Sequence, residues 1–306
     1  VGARHVVPLL YADDTIERTI AFGVVQMSDN IDNYALIIGA MKCGTTTLFT
    51  YLAKHPEIAP CYQKEPNFFA SDENWSKGLA WYESLWDYEP NKHKIALEGS
   101  THYTKYYTKT PRFPNAAERI AQIKANFKFI YMIRNPIERI ESQYTHGLSA
   151  KWFTSQQPIK KGIHPHLLEV SRYAKQMDEY YKRFPAPNIR LVNFEDLKSN
   201  LSNLLTEICQ FLEIDPTYNF QINSKIYNPT KGKFIDGSLW HLISPLTKTL
   251  PTKLQQSIRR SLGQQVRDNI RLTQEQRDFV LRELREDLLK LQFEYGVDVS
   301  RWGIEL

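Results

Sequence analysis

The sequence predicts an α/β protein, with a central parallel sheet of about four to five strands flanked by helices. Two strand–turn–helix passages and a regular alternation of strands with helices predict it. The first passage, Tyr34 to Lys54, reads YALIIGAMKCGTTTLFTYLAK. The second, Phe127 to His146, begins with the apolar run FKFIYMI and continues into Asn135-Pro136.

Taken in order, residues 1–30 hold one apolar patch, Val6 to Tyr11, and read as an N-terminal extension or linker, while residues 31–306 read as one domain. Tyr34 to Ile38 is short, apolar and rich in isoleucine, as a strand buried on both faces requires. Gly39 and Gly44 bracket a turn where backbone must approach a ligand closely. Thr45 to Lys54 then runs as a helix, with Leu48, Tyr51 and Leu52 at core spacing. It stops at His55-Pro56, because the residue before a proline avoids helical geometry. Ile58-Ala59 reads as a short strand leading into KEPNFF, Lys64 to Phe69. The aromatic stretch Trp75 to Tyr88 reads as helical from Lys77 onward. Lys94 to Leu97 is a further strand, ending at Glu98-Gly99-Ser100, and Ala116 to Ala125 a helix.

In the second passage Asn135 is placed as an N-cap, Pro136 at the first helical position and Glu138 three after the cap. Gln156 to His166 is a polar loop, Leu167 to Phe184 a helix and Ile189 to Phe194 a strand. Leu201, Leu204, Leu205, Ile208, Phe211 and Leu212 share one helical face. Tyr218 to Gly237 is loop-like. Thr273 and Gln276 form a capping-box signature before Val280, Leu284, Leu288 and Leu291.

Composition narrows the class. A chain of 306 residues with 42% hydrophobic and 24% charged residues is ordinary globular protein, long enough to bury a large core. A net charge of +5 suits an anionic ligand and is too small to argue for nucleic acid. Three cysteines form no disulfide framework, which favours a reducing, cytoplasmic setting. No apolar run approaches the ~20 residues of a membrane span, and no signal peptide is visible. The chain starts at Val1, so it is expected to be a piece of a longer polypeptide.

A helix opening out of a glycine turn presents free N–H groups and a positive dipole end, which suits a phosphate. An ATP-type loop reads G-x-x-x-x-G-K-[ST], with a hydroxyl on Mg²⁺. Here Gly39 and Gly44 keep that separation, but Thr45 stands at the lysine position and the lysine lies inside the loop at Lys42. Metal-using NTPases also need an acidic residue after a later strand. The strand FKFIYMI ends instead in Arg134, which would repel Mg²⁺ and attract a second phosphate, with the Ser142 hydroxyl eight residues on to share it. The two segments call for two phosphates and no metal.

On these residues the chain resembles sulfotransferases that use 3′-phosphoadenosine 5′-phosphosulfate (PAPS). GAMKCGTTTL resembles their 5′-phosphosulfate loop and FIYMIRNPIERIESQY their 3′-phosphate segment. KEPNFF, EGSTHY, the Ser171/Tyr173 helix start and PTKGKF resemble the branch that includes the heparan sulfate enzymes. The likeness runs from about Tyr34 to Phe234, about two-thirds of the chain. It implies a P-loop-type three-layer fold, PAPS as donor and PAP as product. It implies donor binding by Lys42, Cys43, Gly44, Thr45, Thr46, Thr47, Arg134 and Ser142, with Lys231, Gly232 and Lys233 closing over the 3′-phosphate. Glu65 matches the catalytic base of the motif, and the neighbouring Phe68-Phe69 rings are expected to strip water from it. His102 is a candidate to orient the acceptor or assist proton transfer, a structural role being the alternative. Gly99 stands where heparan-type relatives commonly carry a lysine, which speaks against a polyanionic sugar.

In overall look the chain is also similar to the sulfotransferase domains of bacterial polyketide synthases. That likeness implies the β-hydroxyl of an acyl chain on an acyl carrier protein as acceptor, with a downstream thioesterase as second partner. It includes neither nucleic acid nor membrane. The alternatives are a carbohydrate or small-molecule alcohol as acceptor, a P-loop kinase or NTPase, and a non-catalytic nucleotide-binding module.

Overall fold

In a computed structural model, the described residues are 31–106, 113–150, 162–222 and 270–306, with the pairs 26–27, 234–235 and 264–265 and scattered positions between 247 and 261. Five parallel strands form the central sheet, in the order Ile58–Pro60, Ile95–Glu98, Asn33–Gly39, Asn126–Ile133, Ile189–Asn193. The first strand of this set in sequence is therefore the middle one in space. The chain leaves it for one edge, returns beside it, then crosses to the other side. That arrangement opens a crevice at the carboxyl end of the Asn33–Gly39 strand, where open α/β sheets bind ligands.

The middle strands are apolar without alternation because both their faces are covered. Tyr34 through Ile38, and Phe129 through Ile133, are at most 1% exposed. The helix Thr45–Leu52 follows the first of these strands and buries Leu48, Tyr51 and Leu52, as their spacing predicts. The pair Gln26–Met27 and Ile123–Lys124 adds a small separate parallel ladder.

Three helix predictions are corrected. The stretch expected to be helical from Lys77 to Tyr88 is helix only over Leu79–Glu83, entered from Gly78 at φ 82°, and Trp75 ends a separate short helix, Asp72–Trp75. Its rings follow a core instead of a helical stripe: Phe68 stacks on Tyr82 with centroids 4.4 Å apart, and Tyr34 on Phe127 at 5.1 Å. Ala116–Ile120 is shorter than predicted because Ile123–Lys124 turns to pair as strand. The predicted Leu167 to Phe184 helix is Pro165–Ser171 and Tyr173–Tyr181, broken at Arg172 with ψ 75°.

That break is held from two sides. Arg139, wholly buried, donates to Ser171 Oγ at 3.0 Å, Leu167 O at 2.7 Å and Gln143 Oε1 at 2.5 Å. From the other side Asp287 accepts from the N–H groups of Ala174 at 3.1 Å and Lys175 at 2.9 Å, capping the second helix. Asp287 belongs to the helix Gln274–Phe293, which starts with the predicted capping box and buries Val280, Leu284, Leu288 and Leu291. Buried Glu141 ties the entry of that helix to Pro136–Ser149, taking Arg271 at 2.8 Å, Arg277 at 2.6 Å and the Leu272 N–H at 3.0 Å. The C-terminal helix is thus fastened to the segments that carry Ser142 and Tyr173.

Asp287→Ala would leave two buried N–H groups without an acceptor, and should cost roughly 3 kcal/mol of unfolding free energy. Urea titration followed by tryptophan fluorescence should show one transition at lower denaturant. A C-terminal transition shifting alone, with the rest of the chain unaffected, would contradict the coupling.

Candidate active site

The Gly39–Gly44 loop has no room for side chains at its ends. A Cβ on Gly39 would meet Thr104 Oγ1 at 2.0 Å, and one on Gly44 would meet Phe194 and Leu197 at 2.8 Å. Both glycines also hold positive φ, 152° and 88°, so glycine is required twice over. Lys42 itself sits left-handed at φ 73°, a conformation that costs a non-glycine residue energy and recurs at ligand clamps. The loop closes through Cys43 N–H to Ala40 O at 3.2 Å and is pinned to the next strand by Ala40 N–H to Met132 O at 2.7 Å. Gly44 caps the helix with no side-chain hydrogen bond. Thr47 N–H and Leu48 N–H donate to Gly44 O at 2.9 and 3.1 Å, so it is the N–H groups of Thr45 and Thr46, at the very start of the helix, that suit an anion. Thr45 and Thr47 are buried and Thr46 is half-buried at this turn. Cys43 is fully buried and burial pushes its thiol up to about 11, so it contributes backbone and not a thiolate.

Arg134 follows the Asn126–Ile133 strand and lies against the same loop. Its Nη1 donates to Lys42 O at 3.4 Å, its guanidinium covers the Phe194 ring at 4.6 Å, and Tyr173 donates its hydroxyl to Arg134 O at 2.8 Å. Glu138 holds Arg134 Nη2 at 2.5 Å and Nε at 3.2 Å. The predicted cap is confirmed, since Asn135 Oδ1 accepts from Ile137 N–H at 2.9 Å and Glu138 N–H at 3.4 Å. Ser142 is 4% exposed on the Pro136–Ser149 helix.

Glu65 follows the Ile58–Pro60 strand and lies beside Thr101. Lys64 Nζ is 2.9 Å from its Oε1, Thr101 donates to its Oε2 at 3.5 Å, and its side chain is 37% exposed. The expectation that Phe68 and Phe69 strip water from it is wrong: both rings turn into the core and are wholly buried. The desolvated carboxyl is Glu98. It is fully buried, accepts from Tyr82 at 2.6 Å and Tyr103 at 2.9 Å, and its Oε1 has no hydrogen-bond partner. Burial pushes it up to about 7 despite the Ser100 side chain and those phenols, which lower it, and the Glu65 charge adds to the rise. His102 is placed near the loop, but its Nε2 lies 3.3 Å from Lys105 Nζ and the ring meets Phe113 edge-on at 5.0 Å. Lys231, Gly232 and Lys233 lie outside the described residues.

The structure therefore brings Lys42, Gly44 to Thr47 and Arg134 to one crevice. Sequence reading missed Phe194 and Glu138. The second was visible as an i,i+4 partner of Arg134; the first had no local signal.

The sequence model of the family described as Sulfotransferase domain matches residues 32–241. Among curated proteins, the chain is 25% identical over 219 residues to the bifunctional heparan sulfate N-deacetylase/N-sulfotransferase 1 of Caenorhabditis briggsae, covering 64% of this chain and 24% of that protein. It is 28% identical over 242 residues to the mouse (Mus musculus) heparan sulfate glucosamine 3-O-sulfotransferase 5, covering 72% of this chain and 67% of that one. The match thus spans about a quarter of the first relative and two-thirds of the second. A solved sulfotransferase from Alicyclobacillus acidocaldarius shares the fold, with TM-score 0.60, 20% identity, and coverage of 89% of this chain and 99% of that one.

The Glu98 environment sets a pH dependence. The ordinary carboxyl titrates at 4.5 and the folded one near 7. Below the lower value both states hold the proton, and the folded state's preference for it is fully present. As pH rises through 7 that preference is lost, about 3 kcal/mol in all. Wild type should lose stability relative to Glu98→Gln over this window in urea titrations. Parallel pH profiles for the two proteins would contradict the assignment.

Proposed function

The chain belongs to the sulfotransferase family, and on that premise we propose that it moves a sulfuryl group from PAPS to an acceptor hydroxyl, releasing PAP. The observation that carries this reading is the Arg134 Nη1 hydrogen bond to Lys42 O, which brings the loop and the residue ending the Asn126–Ile133 strand together at one crevice. An NTPase would need an acid directly after the Asn126–Ile133 strand to hold Mg²⁺; Arg134 stands there instead, and the nearby Glu138 carboxylate is paired with its guanidinium.

In this reading the open N–H groups of Gly44, Thr45 and Thr46, with the hydroxyls of Thr45, Thr46 and Thr47, hold the donor's 5′-phosphate. Arg134 and Ser142 hold the 3′-phosphate, and Phe194 and Glu138 fix the guanidinium that receives it. Lys231, Gly232 and Lys233 belong to the same proposal as a closing segment. Glu65 takes the acceptor's proton, with Lys64 and Thr101 orienting its two oxygens. As the acceptor O–S bond forms, the bridging S–O bond breaks, and the electron pair goes to the 5′-phosphate oxygen of PAP. Lys42 stabilises that developing charge.

For the acceptor we propose the β-hydroxyl of an acyl chain carried by an acyl carrier protein, with a thioesterase acting next. Gly99 supports an uncharged acceptor, because the position carries no ammonium for a sulfated sugar. A carbohydrate hydroxyl is the second reading, favoured by the names of the curated relatives, which act on heparan sulfate. The proposed setting is cytoplasmic; no helix among the described residues is long and apolar enough to cross a membrane.

Lys42→Ala should lower PAPS turnover about 100- to 1,000-fold with the fold intact, and Glu65→Gln about 100-fold or more. Wild-type activity at Lys42→Ala would remove its assigned role, and Mg²⁺-dependent ATP turnover would favour a kinase. Nucleotide binding without transfer to any acceptor, indifferent to Glu65→Gln, would mark a docking module. Mass gain on a 3-hydroxyacyl carrier protein, assayed beside free saccharides, decides the acceptor; sulfation of saccharides alone would overturn the acyl reading.

A further inference from the structure

The backbone on either side of Glu65 is clamped against the residues that follow the Ile95–Glu98 strand. Before it, Lys64 O accepts from Gly99 N–H at 3.2 Å. After it comes Pro66, and a residue before proline is confined to extended geometry. Asn67 then turns the chain in the left-handed region at φ 52°, which asparagine adopts at some cost. Two hydrogen bonds hold that turn. Asn67 Nδ2 donates to Glu65 O at 3.0 Å, and Asn67 N–H donates to Ser100 Oγ at 3.0 Å. Ser100 is wholly buried. The stretch that carries it is anchored in turn: Glu98 accepts from Tyr82 at 2.6 Å and Tyr103 at 2.9 Å, and it pairs in register with Leu36 of the central strand. The Glu65 carboxylate is held less firmly than its backbone. Its contact with Thr101 is long at 3.5 Å, and its ion pair is with the adjacent Lys64.

We propose that Ser100 is a positioning residue for Glu65: its buried hydroxyl accepts the Asn67 N–H, locks the left-handed turn and so aims the carboxylate at the acceptor hydroxyl. This deepens the sulfotransferase reading and rests on Glu65 as the group that takes the acceptor's proton. Ser100 has no exposed surface with which to touch donor or acceptor, so its effect on the reaction runs through Glu65. A base must lie within hydrogen-bond reach of the proton it takes, and a displacement of about 1 Å at a reacting group costs on the order of 100-fold in rate. With side-chain partners this loose, the backbone clamp decides where the carboxylate stands. Losing the Ser100 hydroxyl frees the Asn67 turn, and Glu65 keeps its chemistry but loses its aim.

The test is a double-variant cycle in steady-state PAPS turnover, with the 3-hydroxyacyl carrier protein or the saccharide that gains mass in the wild-type assay, beside calorimetric binding of PAP. Ser100→Ala should lower kcat about 10- to 100-fold while PAP affinity changes less than about threefold. Introduced into Glu65→Gln, the same change should cost less than about twofold more, because the group it aims is already gone. Asn67→Gly reads the same clamp without touching Ser100: glycine keeps the left-handed φ but loses the bond to Glu65 O. It should lower kcat about tenfold and be equally silent in Glu65→Gln, and it decides the matter if Ser100→Ala does not fold. Losses that multiply with Glu65→Gln, or that fall equally on PAP binding and turnover, would mark a general structural role and overturn the proposal. So would a Ser100→Ala enzyme at the wild-type rate. Glu65→Gln at the wild-type rate overturns the underlying assignment of the base, whereas a crippled Glu65→Gln beside an indifferent Ser100→Ala overturns this inference alone.

Discussion

The Phe194 ring is the contact on which both halves of the crevice depend. With Leu197 it fills the space where Gly44 would carry a Cβ, and its ring centroid lies 4.6 Å from the Arg134 guanidinium. One side chain from the far edge of the sheet thereby sets the height of the loop and the aim of the arginine. Two other ties use backbone: Arg134 to Lys42 O and Tyr173 to Arg134 O. The parallel sheet makes this possible by delivering the ends of three adjacent strands to one edge. The Arg139 and Asp287 anchors hold the Tyr173 helix in place behind them.

The acids divide by environment. Glu65 is half-exposed and oriented by Lys64 and Thr101. Glu98, one strand inward, is sealed under Tyr82 and Tyr103 and pushed up to about 7 by burial. The proposed proton acceptor is Glu65, the carboxyl that solvent and acceptor can reach.

Much of this was legible in the sequence because it is local. Apolar runs marked the strands to within a residue or two, Thr273 and Gln276 marked a real capping box, and Asn135 capped its helix. The displaced Lys42 and the terminal Arg134 marked the loop and its partner. What failed depended on contacts distant in sequence. The break at Arg172 needs Arg139 and Asp287, which sit far away in the chain. Phe68 and Phe69 look like neighbours of Glu65 in KEPNFF, but the Tyr34–Tyr82–Phe127 cluster draws them inward.

The central claim is that two separate phosphates of one nucleotide are held by the loop and by Arg134. Calorimetric titration of the wild-type protein with PAP and with adenosine 5′-phosphate, which lacks the 3′-phosphate, tests it most directly. The account predicts that PAP binds roughly 100-fold more tightly, the worth of a charge-assisted phosphate contact. Equal affinities for the two nucleotides would contradict it.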